Sequence, residues 1–176
     1  MTTREFQALG LAVLTVSDSR SPAEDRSGDA LVERLQGAGH RLIARDLVRD
    51  DIYAIRAVVS AWIAAPEVQG VLITGGTGFA PRDQTPEAVL PLLDKRIDGF
   101  GELFRSLSYQ EIGTSTRQSR ALAGLANKTV IICLPGSTGA CRTAWDKILK
   151  EQLDIRHRPC NLAEIVFSPT TVHEAG

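Results

Sequence analysis

The chain has 176 residues, 43% apolar and 23% charged, with 20 basic and 21 acidic side chains giving a net charge of -1. That length and composition predict one globular domain, spanning 1–176, with a core about residues 9–161 and a C-terminal tail at 162–176. Balanced charge and scattered bases exclude a global pull toward nucleic acid or an anionic membrane, and no apolar run reaches the length of a membrane span, so any anion site must be local.

An apolar stretch at 9–16 reads as a buried strand, followed by a polar loop over 17–25. A helix fits from about Ser27, with Ala30, Leu31, Arg34 and Leu35 at helical spacing and Gly37 and Gly39 ending it. Arg41–Val48 alternates weakly and reads as a second strand. Asp50 or Asp51 can cap the next helix, whose buried stripe is Ile52, Ile55, Val59, Trp62 and Ile63, and Pro66 stops it. Residues 71–74 (VLIT) are a third buried strand, and 86–93 are helical. Residues 94–100 are mixed and suit an edge strand, 102–112 a helix, Thr129–Leu134 another buried strand. The last long helix has an apolar face of Ala140, Cys141, Ala144, Trp145, Ile148 and Leu149. An apolar patch at Leu162–Phe167 precedes a fraying Ser/Pro/Thr end. Successive strand–helix units predict a mostly parallel sheet with helices on both faces, and ligands in such sheets sit beyond the carboxyl ends of the strands.

Three cysteines, Cys133, Cys141 and Cys160, show no CxxC pairing and no histidine at zinc spacing, so they read as small core residues. Their odd number, with no signal-peptide pattern, predicts a reducing cytoplasmic setting.

The most informative stretch is VLITGGTGFAPRDQTPE at 71–87. A buried strand ends in Gly75, Gly76, Thr77 and Gly78, where backbone N–H groups can approach a ligand with no Cβ in the way. The lone carboxylate Asp83 follows, then a helix start in which Thr85 can cap, Pro86 suits the first turn and Glu87 complements the dipole. The loop is neither a Walker A motif nor a complete GxGxxG. Alone it equally describes a tight turn; the acid and helix start beyond it favour a phosphate site. Pro135, Gly136 and Ser137 repeat the pattern after another strand, as an ordinary helix cap or as phosphate donors. The segment GTSTRQSR at 113–120 carries Ser115, Ser119 and Arg120, which suit phosphate, though a solvated loop looks the same. Asp50, Asp51 and Asp83 are the acids expected to converge at the carboxyl ends of the strands, with Asp18, Asp25 and Glu102 weaker candidates. Carboxylates beside a phosphate call for a divalent cation between them, which points to Mg²⁺.

These residues in this order resemble the molybdenum cofactor biosynthesis family that includes MogA, MoaB and the G and E domains of gephyrin. The resemblance runs through LTVSDSR (14–20), DRSG (25–28), YAIRAVVSAWI (53–63), ITGGTG with RDQTPEA, DGFGELFR (98–105), EIGTSTRQSRA (111–121), LPGSTGACRTAWDKIL and RPCN (158–161). It implies a three-layer α/β/α sandwich, mostly parallel with one antiparallel strand, assembled as a homotrimer or homohexamer. It implies binding of molybdopterin and adenylylation of its terminal phosphate with Mg-ATP; the alternative is a non-catalytic molybdopterin-binding or delivery protein of the same pathway. The family's two carboxylates fall on Asp50 and Asp83, which would be catalytic and hold Mg²⁺, with Asp51 a rival for the first. Ser27, Gly28, Gly75, Gly76, Thr77 and Gly78 would contact phosphates. Ser115, Ser119, Pro135, Gly136 and Ser137 would line the pterin side, and Thr85, Glu87, Glu102 and Arg120 complete the implied binding set.

Overall fold

The computed structural model describes residues 4–169. Six strands form one sheet: β1 (Gly10–Val16), β2 (Arg41–Val48), β3 (Gly70–Thr74), β4 (Lys95–Arg96), β5 (Leu122–Ala126) and β6 (Thr129–Leu134), in the order β2-β1-β3-β6-β5-β4. β1 pairs in parallel with β2 and β3, and β3 with β6, whereas β5 runs antiparallel to both β4 and β6. The sheet is therefore mostly parallel with a single reversed strand, as expected.

Alternation along the strands builds two cores. Leu11, Val13, Leu72, Val130, Ile132 and Leu134 face one side and meet Leu31 and Leu35 of α1 (Arg26–Gly37) and Phe104 of α4 (Asp98–Ile112). The same core takes Cys141 and Ala144 of α5 (Thr138–Ala144). Ala12, Leu14, Val71, Ile73, Ile131 and Cys133 face the other, against Ile55 and Val59 of α2 (Ile52–Ala64) and Ala88 and Val89 of α3 (Thr85–Val89). Because the pleat sends successive side chains to opposite faces, a strand apolar at every position must be covered twice, and the three layers follow.

Several elements depart from expectation. Leu122–Ala126, not read as a strand, is β5, held by β4 on one side and β6 on the other. The edge strand expected at 94–100 shrinks to the two residues of β4, because α4 begins at Asp98 rather than at Glu102. Residues 113–120, left open between a phosphate-binding cluster and a solvated loop, wind a 3-10 segment over Gly113–Gln118. The last long helix is interrupted by a π-helical turn at Trp145–Leu149 before α6 (Lys150–Gln152). The apolar patch at Leu162–Phe167 is α7, capped by Asn161, whose side chain accepts from Glu164 N. Of the expected fraying end, the part beyond residue 169 lies outside the described residues. Cys133 and Cys141 are buried as predicted, but Cys160 is exposed. Among the described residues no helix is long and apolar enough to cross a membrane.

Candidate functional site

The chain leaves β1 toward β2 on one side and returns to β3 on the other, so the connections part between β1 and β3. Ligand crevices of open α/β sheets form at such a switch point. Here a cleft of ≈ 420 Å³ opens beyond the carboxyl ends of β1, β3 and β6.

Its floor is the turn after β3. Gly75 N donates to Leu134 O at 2.9 Å, which ties the turn to β6. Gly75 has φ +107, and a Cβ there would stand 2.1 Å from Val16 O; Gly76 has φ +67, with Thr85 Oγ1 2.3 Å from the place of a Cβ. Only glycine fits both positions, because positive φ and the close approach of neighbouring backbone exclude a side chain. Among the described residues the N–H groups of Gly76, Thr77 and Gly78 find no protein acceptor, and all three residues line the cleft. Thr85, expected to cap α3, is instead its buried first residue, and its hydroxyl donates back to Gly75 O at 2.8 Å. It braces the floor from below and does not line the cleft.

Asp50 and Asp51 separate cleanly. Asp51 accepts from Tyr53 N at 2.9 Å and Ala54 N at 2.8 Å, so it caps α2 and faces away. Asp50 lines the cleft: Oδ1 accepts from Gln84 N at 2.9 Å, and Oδ2 lies 2.7 Å from where a Gly76 Cβ would stand. Burial, with the neighbouring Asp83 and Asp18 charges, lifts the Asp50 carboxyl above its ordinary range against the pull of Gln84 N–H and Arg82. Asp83 also lines the cleft; its Oδ2 accepts from Ala80 N at 2.8 Å and stands 2.7 Å from the place of a Gly78 Cβ. Asp50 Oδ2 and Asp83 Oδ1 have no protein donor among the described residues. Asp18 joins this group, with Oδ1 accepting from Asp50 N at 3.0 Å.

Ser115, Ser119, Pro135, Gly136 and Ser137 also belong to the cleft wall. Ser137 spends its hydroxyl oxygen as the cap of α5, accepting from Ala140 N at 3.1 Å. Other expected residues stand back from the lining. Ser27 is fully buried and meets the cleft only through Arg20, which donates to Ser27 Oγ at 2.8 Å and to Gly136 O at 2.9 Å. Gly28 packs beneath, where a Cβ would be 2.1 Å from Asp25 Oδ2. Asp25 itself caps α1 from the interior, bonded by Thr15 Oγ1 and Gly28 N and paired with Arg45. Burial works to raise its carboxyl, but these partners together hold it below the usual range. Glu102 is exposed on α4 and does not reach the lining. Glu87 and Arg120 are engaged with one another behind the floor.

Arg20 and Arg82 line the cleft and went unremarked as site residues in the sequence. Both lie within the family-like segments LTVSDSR and RDQTPEA, but nothing in their spacing gave them a role, which the convergence of the β1 and β3 loops supplies. They set two positive charges against Asp18, Asp50 and Asp83. The arrangement suits an anionic ligand accompanied by a cation: exposed N–H groups and guanidinium for phosphate, hard carboxylate oxygens for a metal.

Known proteins share this architecture. Residues 12–155 match the family model described as a probable molybdopterin binding domain. The chain is 58% identical over 157 residues to molybdenum cofactor biosynthesis protein B of Escherichia coli (strain K12), covering 89% of this chain and 92% of that one. A crystal structure of a molybdenum cofactor biosynthesis protein B superposes with a TM-score of 0.84 at 40% identity, covering 93% of this chain and 97% of that one. The tungsten cofactor synthesizing protein MoaB from Pyrococcus furiosus superposes with a TM-score of 0.73 at 35% identity, covering 82% and 92%. With the family model covering most of the chain and the fold repeated in these relatives, the chain belongs to the molybdenum cofactor biosynthesis family and groups with its protein B members.

Proposed function

We propose that the cleft binds molybdopterin and Mg-ATP and transfers the adenylyl group to the terminal phosphate of the pterin. The observation that carries this reading is the convergence of Asp50 and Asp83, from two different loops, on a glycine floor where the Gly76, Thr77 and Gly78 N–H groups have no protein acceptor among the described residues. A simple anion site gains nothing from two carboxylates, whereas a site for a metal-bound triphosphate can use both as metal ligands. A phosphate oxygen of the pterin attacks the α-phosphorus of ATP, a new P–O bond forms, and the bridging bond to the β-phosphate breaks with pyrophosphate taking the electron pair. Such transfers need the protein mainly to align the two phosphates and neutralise charge. The N–H groups of Gly76, Thr77 and Gly78 would orient the triphosphate, with Arg20 and Arg82 balancing its charge. Ser115, Ser119 and Pro135–Gly136 would hold the pterin side.

Asp50 Oδ2 and Asp83 Oδ1 would hold Mg²⁺, which when bound neutralises the triphosphate and the departing pyrophosphate. The donor set fits. Both atoms are hard oxygens without protein donors among the described residues, and burial, with the Asp83 and Asp18 charges, raises the Asp50 carboxyl, which a cation would offset. No group of three or more His, Cys, Asp or Glu suited to a metal occurs among the described residues. Mg²⁺ is commonly bound by one or two carboxylates and completed by water and substrate phosphate, so the ion is expected to arrive with the nucleotide.

The test is pyrophosphate release from ATP and Mg²⁺ with and without molybdopterin. Molybdopterin-dependent release is expected, falling by about 10²–10³-fold in Asp83→Asn, the range typical for losing one electrostatic stabiliser. Release undiminished in the variant overturns the role of Asp83, and the absence of molybdopterin-dependent release in the parent chain overturns the adenylylation reading. If molybdopterin still raises the melting temperature in that case, the chain holds or delivers the pterin without chemistry.

A further inference from the structure

Arg120 sits between the 3-10 segment Gly113–Gln118 and β5, and it grips the loop after β3 at three points. Its backbone N–H donates to Thr77 O, Nε to Gly78 O and Nη2 to Asp83 O, each at 2.9 Å. Nη1 pairs with the Glu87 carboxylate at the start of α3, and the guanidinium carbon lies 5.3 Å from the centroid of the Phe79 ring. The loop it grips has no regular structure between β3 and α3. Apart from the Ala80–Asp83 turn, in which Asp83 N donates to Ala80 O and Asp83 Oδ2 accepts from Ala80 N, its own chain offers few bonds. Nε and both Nη atoms of Arg120, expected to bind phosphate, each bond a protein acceptor here, and the residue stands outside the cleft lining.

We propose that Arg120 is a positioning residue, which fixes the loop of residues 75–83, and with it the Asp83 carboxylate, against the wall that carries Ser115 and Ser119. The consequence for metal and nucleotide rests on the proposed function; the fixing of the loop does not. The geometry demands a planar fork. Lysine is a single compact charge and cannot serve two carbonyls and a carboxylate in one plane, so Arg120→Lys acts as a loss, not as a conservative change. Glu87 orients the fork from the far side, and Glu87→Gln keeps an acceptor for Nη1.

The test compares the full chain, Arg120→Lys and Glu87→Gln by amide hydrogen exchange without ligand, and by titration with Mg²⁺ and inorganic tripolyphosphate. In Arg120→Lys, amides in the 76–85 peptide are expected to exchange about tenfold faster or more, while those of β1, β3 and β6 keep their protection, since a loop can open separately from the core. The Mg²⁺ concentration for half-maximal tripolyphosphate binding, and for half-maximal turnover where pyrophosphate is released, rises by about 10–100-fold, the range for losing a support of a metal ligand. The KM for molybdopterin does not move, and Glu87→Gln, which keeps an acceptor for Nη1, shifts both readouts in the same direction but less than Arg120→Lys. Unchanged exchange in the loop, faster exchange spread over β1, β3 and β6, or a loosened loop with unchanged Mg²⁺ dependence each overturns the proposal. Absence of turnover in the parent chain refutes adenylylation alone, because exchange and tripolyphosphate binding are still read.

Discussion

Two adjacent carboxylates at the end of β2 carry opposite duties, and substituting them one at a time separates capping from the cleft. Asp51 accepts from two N–H groups of the first turn of α2. Asp51→Ala forfeits a cap worth about 1 kcal/mol and a favourable charge at the helix N-terminus worth a few tenths more, together about 1.5 kcal/mol. For a chain of this size each kcal/mol moves the melting temperature by about 2–4 °C, so a fall of about 3–6 °C is expected. Asp50→Asn keeps an oxygen for Gln84 N–H and removes a charge crowded by Asp83 and Asp18. With the folded pKa of Asp50 raised, its stabilising contribution belongs to the protonated form and is lost as pH rises through that value. At pH 7 the Asn variant therefore melts at or above the parent. Pyrophosphate release, in contrast, should fall by about 10²–10³-fold in Asp50→Asn and change little in Asp51→Ala. Thermal unfolding by circular dichroism and a pyrophosphate assay at pH 7 read both axes. An Asp50→Asn protein that melts as low as Asp51→Ala, with turnover intact, refutes the assignment of the two residues.

Gly76→Ala puts a Cβ 2.3 Å from Thr85 Oγ1 and 2.7 Å from Asp50 Oδ2 at φ +67. It should cost about 1–2 kcal/mol from backbone strain alone and abolish binding of Mg-tripolyphosphate, measured by denaturation and calorimetry; unchanged binding would show that the floor tolerates a side chain. Asp25 is held below its ordinary 3.8, so its stabilisation is present above that pH and lost as pH falls through the folded value. Urea unfolding should find Asp25→Asn less stable by about 1.5–3 kcal/mol at pH 6, with the gap closing toward pH 3; a gap that persists at acid pH would mean that packing, not charge, sustains it.

Much of the fold was legible because β1, β3 and β6 are almost wholly apolar, and buried at every position, which demands cover on both faces. β5 was not legible. Its sequence, LAGLA, has no β-branched residue, and it is a strand because β6 and the backbone of β4 stand ready to pair with it. α4 hid its start for a related reason: Gly99 and Gly101 weaken any helical reading, yet a Cβ at Gly101 would lie 2.6 Å from Ala121 O, so close packing explains the second of them. Local propensity reports what a segment prefers alone, and both segments are settled by neighbours distant in sequence.

The candidate site divides along the same line. The glycine floor and Asp83 could be read from one continuous stretch, since a strand, a turn that only glycine fits and an acid before a helix are all local features. Asp50 against Asp51 could not, because one residue of register decides which carboxylate meets α2 and which meets a loop more than thirty positions away. Arg20 and Arg82 gain their places, and Arg120 its protein partners, only when the β1, β3 and 113–118 segments are brought together. The amino-acid sequence by itself thus determined the layers, the mostly parallel sheet and the phosphate-like floor. The tertiary structure decided which charges face that floor, because side-chain direction and the distance between loops are properties of the packed sheet and not of any one segment.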